Sequence, residues 1–267
     1  MKRAALLVAA LCAFVAAPAF AGPSYGTVRV QYTGLIRGTD LSMVSSASWG
    51  TVAAAEDVGL QQLQFTDLNL GGPGTIPIPA DSYFNLGYTE AFCIDLWDNN
   101  PVGPDAPYLY DAVPLDAAPD PYAVPTLGGM GATKAGFIAK LLTNDTFETA
   151  EKAAAMQVAI WEIIDENYGG GTNPWNVSAG QGNFYLDTVG GTHGEAAIAA
   201  LANTMLSNLS TTGLPFDPYT ALSNGPGIKN VQDYMVVPDS VVVPVPGAAV
   251  LALLGIGVIH LGRRRSM

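Results

Sequence analysis

The chain predicts an α+β fold: a β-sandwich or barrel-like part, then a packed helical subdomain, between an N-terminal signal and a single C-terminal membrane helix. Three observations carry that expectation. Apolar and polar residues alternate over residues 26–97, the spacing turns helical after residue 131, and both ends are apolar runs bordered by basic residues.

Lys2 and Arg3 precede an apolar run over 4–17, and Pro18-Ala19-Phe20-Ala21 supplies an Ala-x-Ala cleavage site. Residues 1–21 are therefore read as a signal peptide, the run being too short to span a bilayer. Residues 22–97 read as mainly β. Within them 28–32 alternates, 46–53 and 60–65 are further strands, Gly71-Gly72-Pro73-Gly74 marks a turn, and 76–79 is extended. Residues 88–97 form the clearest strand. Its period puts Tyr88, Phe92, Ile94 and Leu96 on one face, with Ala91, Cys93, Asp95 and Trp97 on the other.

Residues 98–131, rich in Pro, Asp and Gly, read as a long acidic surface loop. Asp98, Asn99, Asn100, Asp105, Asp111, Asp116 and Asp120 offer oxygen donors for calcium there. Their spacing lacks the EF-hand pattern, and a solvated acidic loop is the reading adopted. Residues 132–210 read as helical, with helices over 133–142, 149–167 and 195–209; Gly169-Gly170-Gly171 closes the second. Residues 211–237 are a loop and a returning strand over 230–237, followed by a Pro/Val linker over 238–246.

The tail, 247–267, is an apolar run from Gly247 to Gly262 ended by Arg263-Arg264-Arg265. As a helix the run reaches about 24 Å, against a hydrocarbon core of about 30 Å. The arginines orient it with the preceding chain outside the membrane. Short Pro motif, apolar helix and Arg cluster in that order resemble the PEP-CTERM sorting signal of Gram-negative bacteria, with Val245 where the common signal has Glu. The resemblance implies an exosortase-type protease as processing partner and contact with the membrane through residues 247–262. A plain single-pass anchor is the alternative.

Residues 22–246 hold six basic against twenty-three acidic residues, a formal charge of −17 (6 − 23). Such a surface repels phosphate backbones, which excludes nucleic acid as a partner.

Cys12 lies in the signal, leaving Cys93 as the one thiol of the exported part. A lone exported cysteine is an inert buried residue, an intermolecular link or a reactive group. The second helix carries another anomaly. At about 100° per residue, Ala153, Ile160, Trp161 and Ile164 all fall within about 60° of Gln157, and Glu162 and Glu166 lie near the opposite pole. Gln157 is thus centred on the apolar stripe, where an unpartnered amide costs about 1–3 kcal/mol. In one reading a neighbouring strand or loop satisfies the amide and Cys93 is a small buried hydrophobe. In the other, the Cys93 thiolate attacks the Gln157 carboxamide, ammonia leaves, and a thioester joins the two.

Phe92-Cys93-Ile94-Asp95 and Met156-Gln157-Val158-Ala159-Ile160-Trp161 resemble the two motifs of the thioester (TQXA-type) domains of Gram-positive surface adhesins. In that family an aromatic-Cys-aliphatic-acidic/amide motif lies in the β-part and a Thr-Gln-x-Ala-aliphatic-Trp motif on a helix. Met156 stands where the family has Thr. The resemblance implies Cys93 as sulfur donor, Gln157 as acyl donor, Asp95 and Trp161 as their closest neighbours, and covalent capture of an amine-bearing surface or matrix protein. It implies no cofactor, no metal and no turnover chemistry. A non-covalent surface or biofilm-matrix protein of the same fold is the alternative. A hydrolase has little support: His193 is the one histidine of the exported part, and no Gly-x-Ser-x-Gly elbow is present.

Overall fold

The computed structural model describes residues 24–45, 55–72, 75–77, 87–95, 106–119, 130–166, 175–182, 184–188, 194–210, 219–224 and 231–237, with positions 212 and 214. All of the described residues belong to one compact unit, Met1–Val237. The predicted signal peptide, the strand over 46–53, Leu96, Trp97, Asp98, Asn99, Asn100, Asp105, Asp120, His193, the linker and the tail lie outside the described residues. Among the described residues no helix is long and apolar enough to cross a membrane.

Two long strands, β1 (Gly26–Leu41) and β3 (Ala55–Leu70), pair antiparallel along their whole length. Their register shifts at four places, between Arg29 and Val30, Tyr32 and Gly34, Leu35 and Arg37, and Thr39 and Leu41. Such bulges bend and twist a ribbon, which lets one half join a barrel while the other leaves it. The barrel half of β1 pairs β5 (Tyr108–Pro114), and that of β3 pairs β4 (Gly87–Cys93). Two short strands, β7 (Thr220–Ser223) and β8 (Tyr234–Val237), complete the ring in the order β1-β3-β4-β8-β7-β5. Every pairing is antiparallel, and closure leaves the barrel no open edge. The alternation is plain in the burial: Val28, Val30, Leu63, Phe65, Tyr110 and Ala112 are buried, while Arg29, Leu109 and Asp111 are exposed.

The barrel-like β-part and the helical part agree with the expected α+β class, and three elements correct the finer reading. Residues 108–114, read as part of the acidic loop, form β5, followed by a 3-10 turn over Leu115–Ala117. Pro107 and Pro114 bracket the strand and mask its period-two pattern. Residues 220–223, read as loop, form β7. A further strand, β6 (Phe184–Leu186), lies in the Gly/Asn-rich stretch and pairs β2 (Met43–Ser45). The 88–97 strand stops at Cys93. Its predicted face also splits, since Tyr88 is 62% exposed and Phe92 is fully buried under the edge of Phe147, at 5.3 Å between ring centroids.

Helices α1 (Gly131–Asn144), α2 (Ala150–Asp165) and α3 (Glu195–Ser207) fall close to the predicted spans. Thr149 caps α2 by accepting from the Lys152 N–H at 3.3 Å, and Glu151 complements the dipole of its first turn. The helix ends at Asp165, before the Gly run expected to close it. It packs on the β1–β3 ribbon and between the other two helices, so every residue from Ala153 to Asp165 is buried. Glu162, near the pole opposite Gln157, is therefore buried as well: a helix covered on all sides has no solvent face.

The ribbon approaches itself closely at the Gly38↔Gly59 pair. A Cβ on Gly59, whose φ is +144°, would lie 2.2 Å from the Arg37 carbonyl oxygen. Backbone cannot yield as a flexible side chain does. Gly59→Ala is expected to lose at least about 2 kcal/mol in urea unfolding; an unchanged midpoint would contradict this register.

Candidate functional site

The site forms where the β4 ladder runs out. Cys93 is the last residue of β4 and pairs with Tyr234 on β8, with the Ile94 N–H donating to the Asp233 carbonyl at 2.9 Å. On the other flank β3 pairs β4 only as far as Gln61↔Ala91. The Cys93 N–H and C=O therefore face a place where the neighbouring strand is missing. The Gln157 carboxamide fills it. Gln157 Oε1 accepts from the Cys93 N–H at 2.9 Å, and Gln157 Nε2 donates to the Cys93 carbonyl at 2.7 Å. One side-chain amide thus substitutes for the peptide group of a strand, and both residues are fully buried. The two anomalies of the sequence meet in a single contact.

Around the sulfur the chain turns back on itself. Cys93 Sγ donates to the Asp95 carbonyl at 2.7 Å and accepts from the Asp95 N–H at 3.3 Å. Burial above all, and then the Asp95 carboxylate, push the Cys93 thiol well above its ordinary pKa, with Asp233 adding in the same sense. The Asp95 backbone N–H and the Trp161 indole pull the other way by less. The resting group is a protonated thiol at neutral pH, unlike the exposed, electropositive setting of reactive enzyme cysteines. Trp161 is one turn along α2 from Gln157. Its ring meets Phe184 edge-on at 6.2 Å, and its Nε1 lies near enough to ease the thiol down yet forms no hydrogen bond.

The predicted quartet Cys93, Gln157, Asp95 and Trp161 thus lies in one cluster. Sequence reasoning missed Asp233 and Tyr234, which β8 brings alongside Cys93, because nothing local marks which strand will pair with β4. Asp233 Oδ1 is held by the Asn224 N–H at 2.8 Å. Tyr234 is itself pushed well above its usual pKa, by burial first and the Cys93 thiol next. Asp111 and Asp116 of the acidic stretch belong to other surroundings, on β5 and the turn after it. Among the described residues no group of His, Cys, Asp and Glu side chains is set to hold a metal ion.

Glu162, also missed, sits on the same helix as Gln157. Its Oε1 accepts from the Asn176 N–H at 2.8 Å, while Oε2 is buried without a partner. Burial raises its pKa to about 8, with Glu166 and Asp165 adding and the Asn176 N–H opposing. A folded pKa above the unfolded value means that the native state binds the extra proton. Stability from this group is then fully present below about pH 4.5 and falls by roughly 3–5 kcal/mol as the pH rises to about 8. Thermal melts of the wild type and Glu162→Gln should coincide more closely at low pH and diverge toward pH 8, the variant being the more stable. Parallel curves would contradict the burial of this carboxyl.

Gln157→Glu tests the amide contact. An ionised carboxylate still accepts from the Cys93 N–H but sets an oxygen against the Cys93 carbonyl, where a donor is needed. The variant should be destabilised by roughly 2–4 kcal/mol at pH 8 and recover in part at pH 5, where the protonated acid can donate. Urea midpoints at the two pH values check this.

Neither a protein-family model, nor a curated protein, nor a solved structure matches the chain.

Proposed function

We propose that this is an exported, surface-anchored protein whose Cys93 and Gln157 close an internal thioester that captures an amine covalently, for adhesion or attachment to extracellular matrix. The observation that carries the reading is the residue-to-residue pairing of the one exported thiol with a fully buried carboxamide. The reaction balances without a co-reactant. The Cys93 sulfur attacks the Gln157 carboxamide carbon, the C–N bond breaks, and the thiol proton leaves with the nitrogen as ammonia. The Cys93 N–H already sits on the carbonyl oxygen, where negative charge gathers during attack. The buried surroundings protect the thioester from water, and the Asp95 and Asp233 carboxylates near the sulfur are acceptors for a proton in transit.

An amine on a partner, such as a lysine, then attacks the acyl carbon, the C–S bond breaks, and an amide remains at position 157. The site works once per molecule and is not a turnover enzyme. Export and anchoring rest on the two terminal signals: the exosortase-type protease is the processing partner, and residues 247–262 are the membrane contact.

The non-covalent alternative, a surface or matrix protein of the same fold, has its own support. The Gln157 amide is fully satisfied by two hydrogen bonds, and the Cys93 thiol is held protonated. Intact mass separates the two readings. The thioester form weighs one ammonia less than its sequence, gains the whole mass of one methylamine on reaction and so ends one CH2 above its sequence mass, and loses the deficit in Cys93→Ala. A full sequence mass with no methylamine uptake supports the non-covalent protein and ends the thioester proposal.

A further inference from the structure

We infer that the Trp161 indole N–H is the hydrogen-bond donor for the Cys93 sulfur as the thioester opens, stabilising the thiolate that leaves. This assignment rests on the thioester reading above and names the group that controls its reactivity. Trp161 is 3% exposed, and its Nε1 is buried with no hydrogen-bond partner. A buried indole N–H normally finds an acceptor, and leaving it unmade costs stability. The orphaned donor here is therefore an anomaly.

Its position supplies the explanation. Gln157 and Trp161 are four apart on α2 and so lie on one face, and the Gln157 amide is bonded to the Cys93 main chain. The edge contact with Phe184, at 6.2 Å between ring centroids, helps to fix the ring. The indole is also among the groups that favour the charged form of Cys93. A thiol or thioester sulfur is a weak acceptor, so the N–H gains little in the resting state. A thiolate is an ionised acceptor, and the same N–H becomes a charge-assisted donor. An interaction that strengthens as charge develops speeds the step instead of merely holding the ground state. It also opposes the Asp95 carboxylate, which disfavours negative sulfur.

In the opening step the amine nitrogen bonds to the Gln157 acyl carbon and the C–S electron pair moves to sulfur under the indole N–H. The proton shed by the amine then returns to sulfur as the thiol.

The test compares wild type with Trp161→Phe, and with β-(3-benzothienyl)alanine at position 161, an isostere whose sulfur replaces the N–H. Methylamine uptake is followed by intact mass over time. Both variants should carry the mass deficit and react at least about tenfold more slowly. Equal rates with the deficit intact overturn the role of Trp161 and leave the thioester standing; absence of the deficit in the wild type overturns both. Titration of Cys93 by alkylation in the Gln157→Ala background, where no thioester can close, gives a readout independent of closure. Adding Trp161→Phe there should move the thiol to higher pH, and an unmoved profile also overturns the assignment.

Discussion

The double hydrogen bond from the Gln157 carboxamide to the Cys93 main chain joins the helical part to the barrel at the point where the ladder would otherwise fail. β3 must leave β4 after Gln61↔Ala91 because its far half is committed to β1 alone. That departure strands one N–H and one C=O in a dry interior, which no folded chain leaves unpaired without cost. Supplying the missing pair from a helix makes the depth and rotation of α2 part of the same solution. The helix must be buried on every side for its amide to reach, and Ala153, Ala154, Ala155 and Ala159 keep it slim enough to do so.

Full burial has a second consequence. It leaves the polar groups of α2, among them those of Gln157, Trp161, Glu162 and Asp165, without water. Gln157 is satisfied twice over, Glu162 once, and the Trp161 indole not at all. That gradation separates a contact that organises the fold from groups whose state responds to their surroundings. The Glu162 carboxyl and the Cys93 thiol both resist ionisation, and in both the first cause is burial away from solvent. An environment that keeps a thiol inert also keeps a thioester from hydrolysis, so the protection proposed for the acyl group needs no separate device.

Much of this was legible in the sequence. The change from period two to helical spacing follows from side-chain geometry within each element, and it located β1, β3, β4 and the three helices. The oddity of Cys93 and Gln157 was legible too, since a lone thiol over residues 22–246 and an amide on an apolar stripe are local facts. The surroundings of the site were not. Asp233 and Tyr234 reach Cys93 only because β8 closes the ring, and Glu162 is buried only because neighbours cover both flanks of α2. A helical wheel records one helix and is blind to what packs on its far side.

By itself, then, the sequence determined the α+β class of fold, the strong acidity of residues 22–246 and the identity of the two residues worth pairing. Tertiary structure decided the rest: closure of the barrel through β5 and β7, the end of the β3–β4 ladder beside Cys93, and the use of the Gln157 amide as a surrogate strand. The physical reason is the range of the forces involved. Periodicity and capping act within a few residues, whereas the pairing of short strands and the drying of a helix depend on partners far along the chain, sixty-four residues apart in the case of Cys93 and Gln157.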